Sequence, residues 1–127
     1  MAVTHYMRRV AGSVDTPSNA TTTILTFTPV ADTCGNINCY FAAEQTGTPA
    51  NCYIAEVNFA FSVDAGVATV RGTSAIGATI NPGNWIGAGA HVSATQSGGD
   101  ILIQVTGKTT TPITWVVDAR TIARTRT

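Results

Sequence analysis

From Tyr53 to Val63 an apolar side chain falls on every second residue: Tyr53, Ala55, Val57, Phe59, Phe61 and Val63, with Glu56, Asn58 and Ser62 among those between. A period of two belongs to a strand with one buried and one wetted face, and no helix can place such a series on one side. Asp64-Ala65-Gly66 then supplies a turn and Val67 to Gly72 returns as a short partner, so a hairpin is expected. A chain that commits its longest apolar series to a half-buried strand must find a second layer to cover it.

The remaining sequence offers that layer. Ile101, Ile103 and Val105 alternate with Gln104 and Thr106, and Trp115, Val117 and Ala119 alternate with Asp118 and Arg120. Ile86, Ala88, Ala90, Val92 and Ala94 read as one face of a further strand, which Ser97-Gly98-Gly99-Asp100 joins to the next by a turn. Asn81-Pro82-Gly83-Asn84 marks another turn, and Thr22 to Thr28, Ile37 to Phe41 and Val3 to Val10 are weaker strand segments. Roughly one residue in six is threonine, a β-branched type that suits pleated strands. No amphipathic helix, internal repeat or heptad pattern emerges. The expected fold is a single all-β domain, an antiparallel β-sandwich or jelly-roll-like body of about seven or eight strands with extended terminal arms. Residues 1–20 are expected to be an N-terminal arm, 21–123 the sandwich and 124–127 a basic C-terminal tail.

Charged residues are only 11% of the 127, and seven Lys and Arg balance seven Asp and Glu. A chain without a net positive field is disfavoured as a general nucleic-acid binder, and no apolar run approaches the roughly 18 residues of a membrane helix. Polar Ser13 to Thr23 follows Arg8-Arg9 where a signal peptide needs its apolar segment, so ordinary secretion is not expected. Neutrality hides a segregation. Residues 1–12 carry +2 through Arg8 and Arg9, and residues 119–127 carry +3 through Arg120, Arg124 and Arg126. The body between them has Arg71 and Lys108 against all seven acids, a net of −5. The five terminal arginines are therefore candidate docking residues for an acidic partner, including the body of another copy.

Cys34, Cys39 and Cys52 are odd in number, which excludes a complete disulfide framework and favours a reducing compartment. Cys34-Gly-Asn-Ile-Asn-Cys39 resembles a loop with a thiol at each end. With Cys52 and His5 or His91 it contains enough ligands for zinc, but the paired CxxC spacing is missing, so free thiols acting as small hydrophobes are expected and no metal or cofactor is assigned. His91, Ser93 and Asp100 are the residue types of a nucleophilic triad. A hairpin closing through Ser97 to Gly99 would set Thr95 near Asp100 and His91 near Gln104, keeping the acid away from the imidazole. The carboxylates are scattered singly, and Gly87 and Gly89 lack the following helix that a phosphate loop needs. No catalytic residue is assigned and no enzyme is expected. Among the aromatics, Trp115 and Tyr53 alternate with core residues, whereas Trp85 follows a turn and is the candidate for contact with a glycan or partner.

One resemblance extends from about Thr21 to Ala123. The carrying residues are Thr21-Thr22-Thr23-Ile24-Leu25-Thr26-Phe27-Thr28, the segment Val57 to Gly72, Asn84-Trp85-Ile86, and Asp100-Ile101-Leu102-Ile103-Gln104-Val105-Thr106-Gly107 followed by Ile113-Thr114-Trp115. In this order they resemble a small β-rich domain of tailed-bacteriophage virion proteins, found at the ends of tail fibres and related appendages. The resemblance implies a non-enzymatic virion building block, assembled in the host cytoplasm, homotrimeric and exposed on the particle. It carries no catalytic residues across. With only about 20 residues ahead of Thr21, the leading expectation is a capsid decoration or cement protein whose terminal arms grip other virion proteins. The alternative is a tail or fibre-tip protein that recognises a host-surface glycan.

Overall fold

A computed structural model describes residues 4–29, 32–87 and 91–125, with side chains from Met7 onward. The alternating segments form eight strands: β1 Thr4–Thr16, β2 Thr21–Phe27, β3 Thr33–Gln45, β4 Thr48–Asp64, β5 Val67–Ala75, β6 Val92–Ser97, β7 Asp100–Thr106 and β8 Ile113–Thr125. They pair, all antiparallel, into a five-stranded sheet of order β1-β8-β3-β4-β5 and a three-stranded sheet of order β2-β7-β6. The two inner faces meet as a β-sandwich.

The alternation dictates which side chains fill the space between the sheets. All six apolar residues of the Tyr53 to Val63 series are buried, as are Ile101, Ile103 and Val105 of β7 and Trp115, Val117 and Ala119 of β8. Trp115 is completely covered; its indole Nε1 donates to Thr16 Oγ1 at 2.9 Å, and the Tyr53 ring meets it edge to face with centroids 5.6 Å apart. A buried indole is costly unless its one donor is satisfied, and Thr16, fully buried at the end of β1, is the residue that satisfies it.

Several boundaries differ from expectation. The segment read as an N-terminal arm is mostly strand. β1 runs 13 residues and pairs with the 13 residues of β8 from Thr4↔Thr125 to Thr16↔Ile113. Its inward residues Val10 and Val14 pack on the core, a gain that local sequence could not advertise because their partners lie over 100 positions away. Strand pairing thus already includes Thr4–Thr16, ahead of Thr21. Likewise Cys34 to Cys39 is no loop. It lies within β3, where Asn36 and Asn38, poor strand formers, are held by cross-strand amide bonds. Gly35 faces inward where a Cβ would collide with the Ile122 carbonyl, so the close approach of β3 to β8 requires glycine.

The strand expected from Ile86 begins only at Val92. Ile86 belongs to the turn after a short 3₁₀ segment at Pro82–Asn84, and Ala88 and Ala90 lie outside the described residues. The β6–β7 hairpin closes through Gly98 and Gly99 alone, with Ser97 opposite Asp100 and Thr95 opposite Leu102. His91 therefore lies beside Thr106 rather than Gln104. Ala65 and Gly66 form the corresponding two-residue turn between β4 and β5, both with positive φ (50° and 80°).

Thr16→Val should cost about 1–3 kcal/mol by stranding the Trp115 donor, while Thr16→Ser should restore most of it, as denaturant unfolding would measure. Ala65→Gly should stabilise the fold by about 0.5–1 kcal/mol, because glycine adopts the left-handed conformation without a Cβ penalty. A lower unfolding midpoint for Ala65→Gly would contradict this account of the turn.

Candidate functional site

The inner faces of the sandwich are spent on the core, leaving the outer face of the five-stranded sheet as its broadest unpaired surface. Register arranges that face in rows across the strands. Ser13, Val116, Ala42 and Ile54 form one row, which Ile80 extends through an isolated bridge to Ile54. The next holds Ala11, Asp118, Tyr40 and Glu56, and the one after it Arg9, Arg120, Asn38, Asn58 and Ser74. Met7, Ile122, Asn36 and Ala60 make the fourth. A polar belt two rows wide thus runs between two apolar zones.

The belt is internally bonded. Arg9 clamps Asp118 with two parallel bonds, Nε to Oδ1 at 2.9 Å and a terminal nitrogen to Oδ2 at 2.8 Å, reaching diagonally from β1 to β8. The hydrogen bonds from Arg9 hold the Asp118 carboxyl below the usual aspartate range, assisted by the charges of Arg9 and Arg120 and opposed by desolvation. Asn38 Nδ2 donates to Glu56 Oε2 at 3.0 Å and to Asn58 Oδ1 at 2.9 Å, and Asn36 Nδ2 donates to the same Asn58 oxygen at 3.0 Å. Tyr40, 52% exposed, stands on β3, the central strand of the five.

At the Met7 end the two basic termini become one surface. Arg9 sits opposite Arg120 and Arg124 opposite Cys34, so three of the five candidate docking arginines share the outer face at the β1–β8 end of the sheet. Arg8, opposite the buried Thr121, alternates to the other face and lies beside Phe27 and Phe61. Arg126 lies outside the described residues. Of the three, Arg9 spends its guanidinium on Asp118; Arg120 and Arg124 are exposed. Between them Met7 and Ile122 lie side by side, 80% and 62% exposed. Sequence reading found the arginines but not this apolar pair, whose signal was an outward parity that becomes visible only once β1 is known to be a strand.

The other sequence candidates are dispersed or covered. Trp85 is not on the surface: it is 8% exposed, its indole donates to the Cys52 carbonyl at 2.6 Å, and its own carbonyl accepts from Lys108 Nζ. A ligand would find little of the ring. His91 Nδ1 contacts the Thr106 carbonyl at 2.9 Å and its ring packs against Tyr53. Ser93 faces Gln104 across the hairpin, and Asp100 accepts a bond from Thr28 Oγ1 at 2.7 Å, so these three residues do not converge. Cys34 is exposed, Cys39 is buried facing the core and Cys52 is half-buried at the Glu44 register. Among the described residues no group of three or more His, Cys, Asp and Glu is placed to hold a metal. The side chain of His5 lies outside them.

No protein-family model matches the sequence, and no curated protein matches it. Among solved structures the chain is similar to the tailspike protein of Acinetobacter baumannii phage AM24, with 13% identity, a TM-score of 0.44, and coverage of 94% of this chain and 26% of that one. It is also similar to the tailspike protein of Acinetobacter phage vB_ApiP_P1, with 12% identity, a TM-score of 0.39, and coverage of 89% and 21%. The chain spans about a quarter or less of the length of either tailspike.

Because Asp118 titrates lower in the folded chain than in the unfolded one, its pair with Arg9 favours folding at neutral pH, and that contribution fades as pH falls through the depressed value. Side-chain NMR should show the Asp118 midpoint below the ordinary aspartate range and moving upward in Arg9→Gln. Burial pushes the Cys39 thiol up to about 12. At pH 8 iodoacetamide should therefore label Cys34 readily and Cys39 only after unfolding; rapid native labelling of Cys39 would contradict its placement.

Proposed function

We propose that this chain is a non-enzymatic structural module of a tailed-phage virion, built into a tail appendage that meets the host surface. The observation that carries this reading is the Met7–Ile122 pair, laid bare on strands and bordered on the same face by Arg9, Arg120 and Arg124. Two large apolar side chains in register, with the exposed guanidinium groups of Arg120 and Arg124 beside them, make a surface suited to an acidic-rimmed partner. The body of another copy, which carries the net −5 counted in the sequence, has that character. Self-association through this patch, with the homotrimer implied by the sequence resemblance as its order, follows the same logic.

The structure also bears on the choice between decoration and tail. The decoration reading rested on residues 1–20 being a free arm able to grip a capsid. Most of that segment is strand β1, hydrogen-bonded along its length to β8 and packed on the core, so it has no free reach. What remains is the resemblance of Thr21 to Ala123 to tail-appendage domains and a sheet face built for contact, which supports the tail reading over the decoration reading.

Two measurements test this. Gold-labelled chain on intact particles should map to the tail; exclusive labelling of the head would overturn the reading. In solution the native mass should be a multiple of 13.1 kDa. The double substitution Met7→Ser with Ile122→Ser should reduce it to the monomer while leaving the unfolding midpoint of the monomer nearly unchanged, since both side chains are exposed on the outer face.

A further inference from the structure

The polar belt is more ordered than a solvated sheet face requires. We propose that the ledge formed by Tyr40, Asn38, Glu56, Asp118 and Arg120 binds an uncharged, hydroxyl-rich glycan, Tyr40 supplying the stacking surface and the amide and carboxylate groups reading the hydroxyls. This inference rests on the host-facing reading above, and it concerns residues separate from the Met7–Ile122 patch.

Shape comes first. The five side chains line a depression of about 410 Å³ on the outer face, open to solvent and centred on the middle strand of the sheet. Tyr40 is the exposed aromatic of β3, whereas Phe41 beside it is fully buried, and its direct cross-strand neighbours are Asp118 and Glu56. A half-exposed ring flanked on both sides by hydrogen-bonding groups offers an apolar face for the C–H side of a pyranose and acceptors for the hydroxyls at its rim.

Next is the state of the polar groups. Asn38 uses both of its amide hydrogens within the belt, one on Glu56 and one on Asn58, which fixes its orientation and leaves its Oδ1 without a protein partner among the described residues. Asn58 commits its Oδ1 twice, to Asn36 and Asn38, and keeps its Nδ2 hydrogens. Glu56 accepts from Asn38 through Oε2 and retains Oε1. The belt therefore presents, at fixed positions on its two rows, acceptor, donor and acceptor. A sugar hydroxyl both donates and accepts, and side chains already locked by neighbours lose little rotamer entropy on meeting it.

Charge then selects among hydroxyl-rich ligands. Arg9 neutralises Asp118 through a bidentate pair, and Arg120 offsets Glu56, so the ledge has formal charges of both signs and no net charge. A phosphate backbone or an acidic polysaccharide would meet Glu56 and Asp118 unfavourably. A polycation would meet Arg9 and Arg120. An uncharged glycan meets neither penalty. A second copy stacked here would instead have to bury these bonded polar groups, whereas the apolar zones on either side offer a better surface for that purpose.

The test uses the purified full chain, labelled with ¹⁵N, against an array of neutral and acidic oligosaccharides prepared from bacterial capsules and lipopolysaccharides. At least one neutral oligosaccharide should bind and shift the backbone amides of Asn38, Tyr40, Glu56, Asp118 and Arg120 while leaving Met7 and Ile122 unmoved. Tyr40→Ala should weaken that binding about tenfold or more and Tyr40→Phe by less than about threefold, with unchanged unfolding midpoints showing that both variants fold. Asn38→Ala should weaken it about tenfold through the loss of its acceptor and of the Glu56 orientation. No binding by any neutral glycan, binding confined to acidic ones, shifts centred elsewhere, or full affinity in Tyr40→Ala would each overturn the proposal. Labelling of the head together with glycan binding at Tyr40 would overturn the tail assignment and leave the ledge standing.

Discussion

The pairing of the two ends of the chain is the constraint on which everything else depends. β1 and β8, each 13 residues long, lie side by side although 97 to 121 positions separate their paired residues. Closing so long a loop costs entropy that grows only slowly with length, and the ladder offsets it with a full set of backbone hydrogen bonds and with Val10 and Val14 packed against the core. The same pairing delivers Thr16 to the Trp115 indole, so the largest buried side chain depends on a residue at the opposite end of the sequence. It also assembles the outer face. Without β1, Asp118 would have no Arg9 and Ile122 no Met7 beside it.

That outer face shows how one sheet can serve two kinds of contact. Because side chains alternate across a strand, each strand contributes a column of outward residues, and register turns the columns into rows of matched character. Asp118, Tyr40 and Glu56 come from three strands and share a row; so do Arg120, Asn38 and Asn58. Bonding within the polar rows holds them rigid, and the apolar residues to either side remain free to meet another surface. A central strand with two asparagines on its outer face is weak by propensity, yet in this setting the cross-strand amide bonds turn that weakness into order.

Much of the fold was legible in the sequence where the pattern was local. Tyr53 to Val63, Ile101 to Val105 and Trp115 to Ala119 each announced their buried faces, and the turns at Ala65-Gly66 and Gly98-Gly99 were visible in residue type. β1 and β3 were under-read because Arg8 and Arg9 in one and the outward Asn36 and Asn38 in the other carry no strand preference of their own. Their conformation is set by neighbours distant in sequence. Trp85 misled for the opposite reason: a tryptophan after a turn reads as surface, but its N–H found the Cys52 carbonyl and the ring followed it inward.

The sequence by itself determined the class of structure, an antiparallel two-layer β fold, and which face of each strong strand would be buried, because a period of two is fixed by backbone geometry whatever the strand pairs with. It also determined that positive charge would collect at the ends and negative charge between them. Only the tertiary structure decided that the ends meet, that Arg9, Arg120 and Arg124 therefore share a face with Met7 and Ile122, and that Tyr40 is the aromatic left exposed among bonded amides. Register is a relation between strands, and it depends on the packing of the whole sandwich rather than on any segment of the chain.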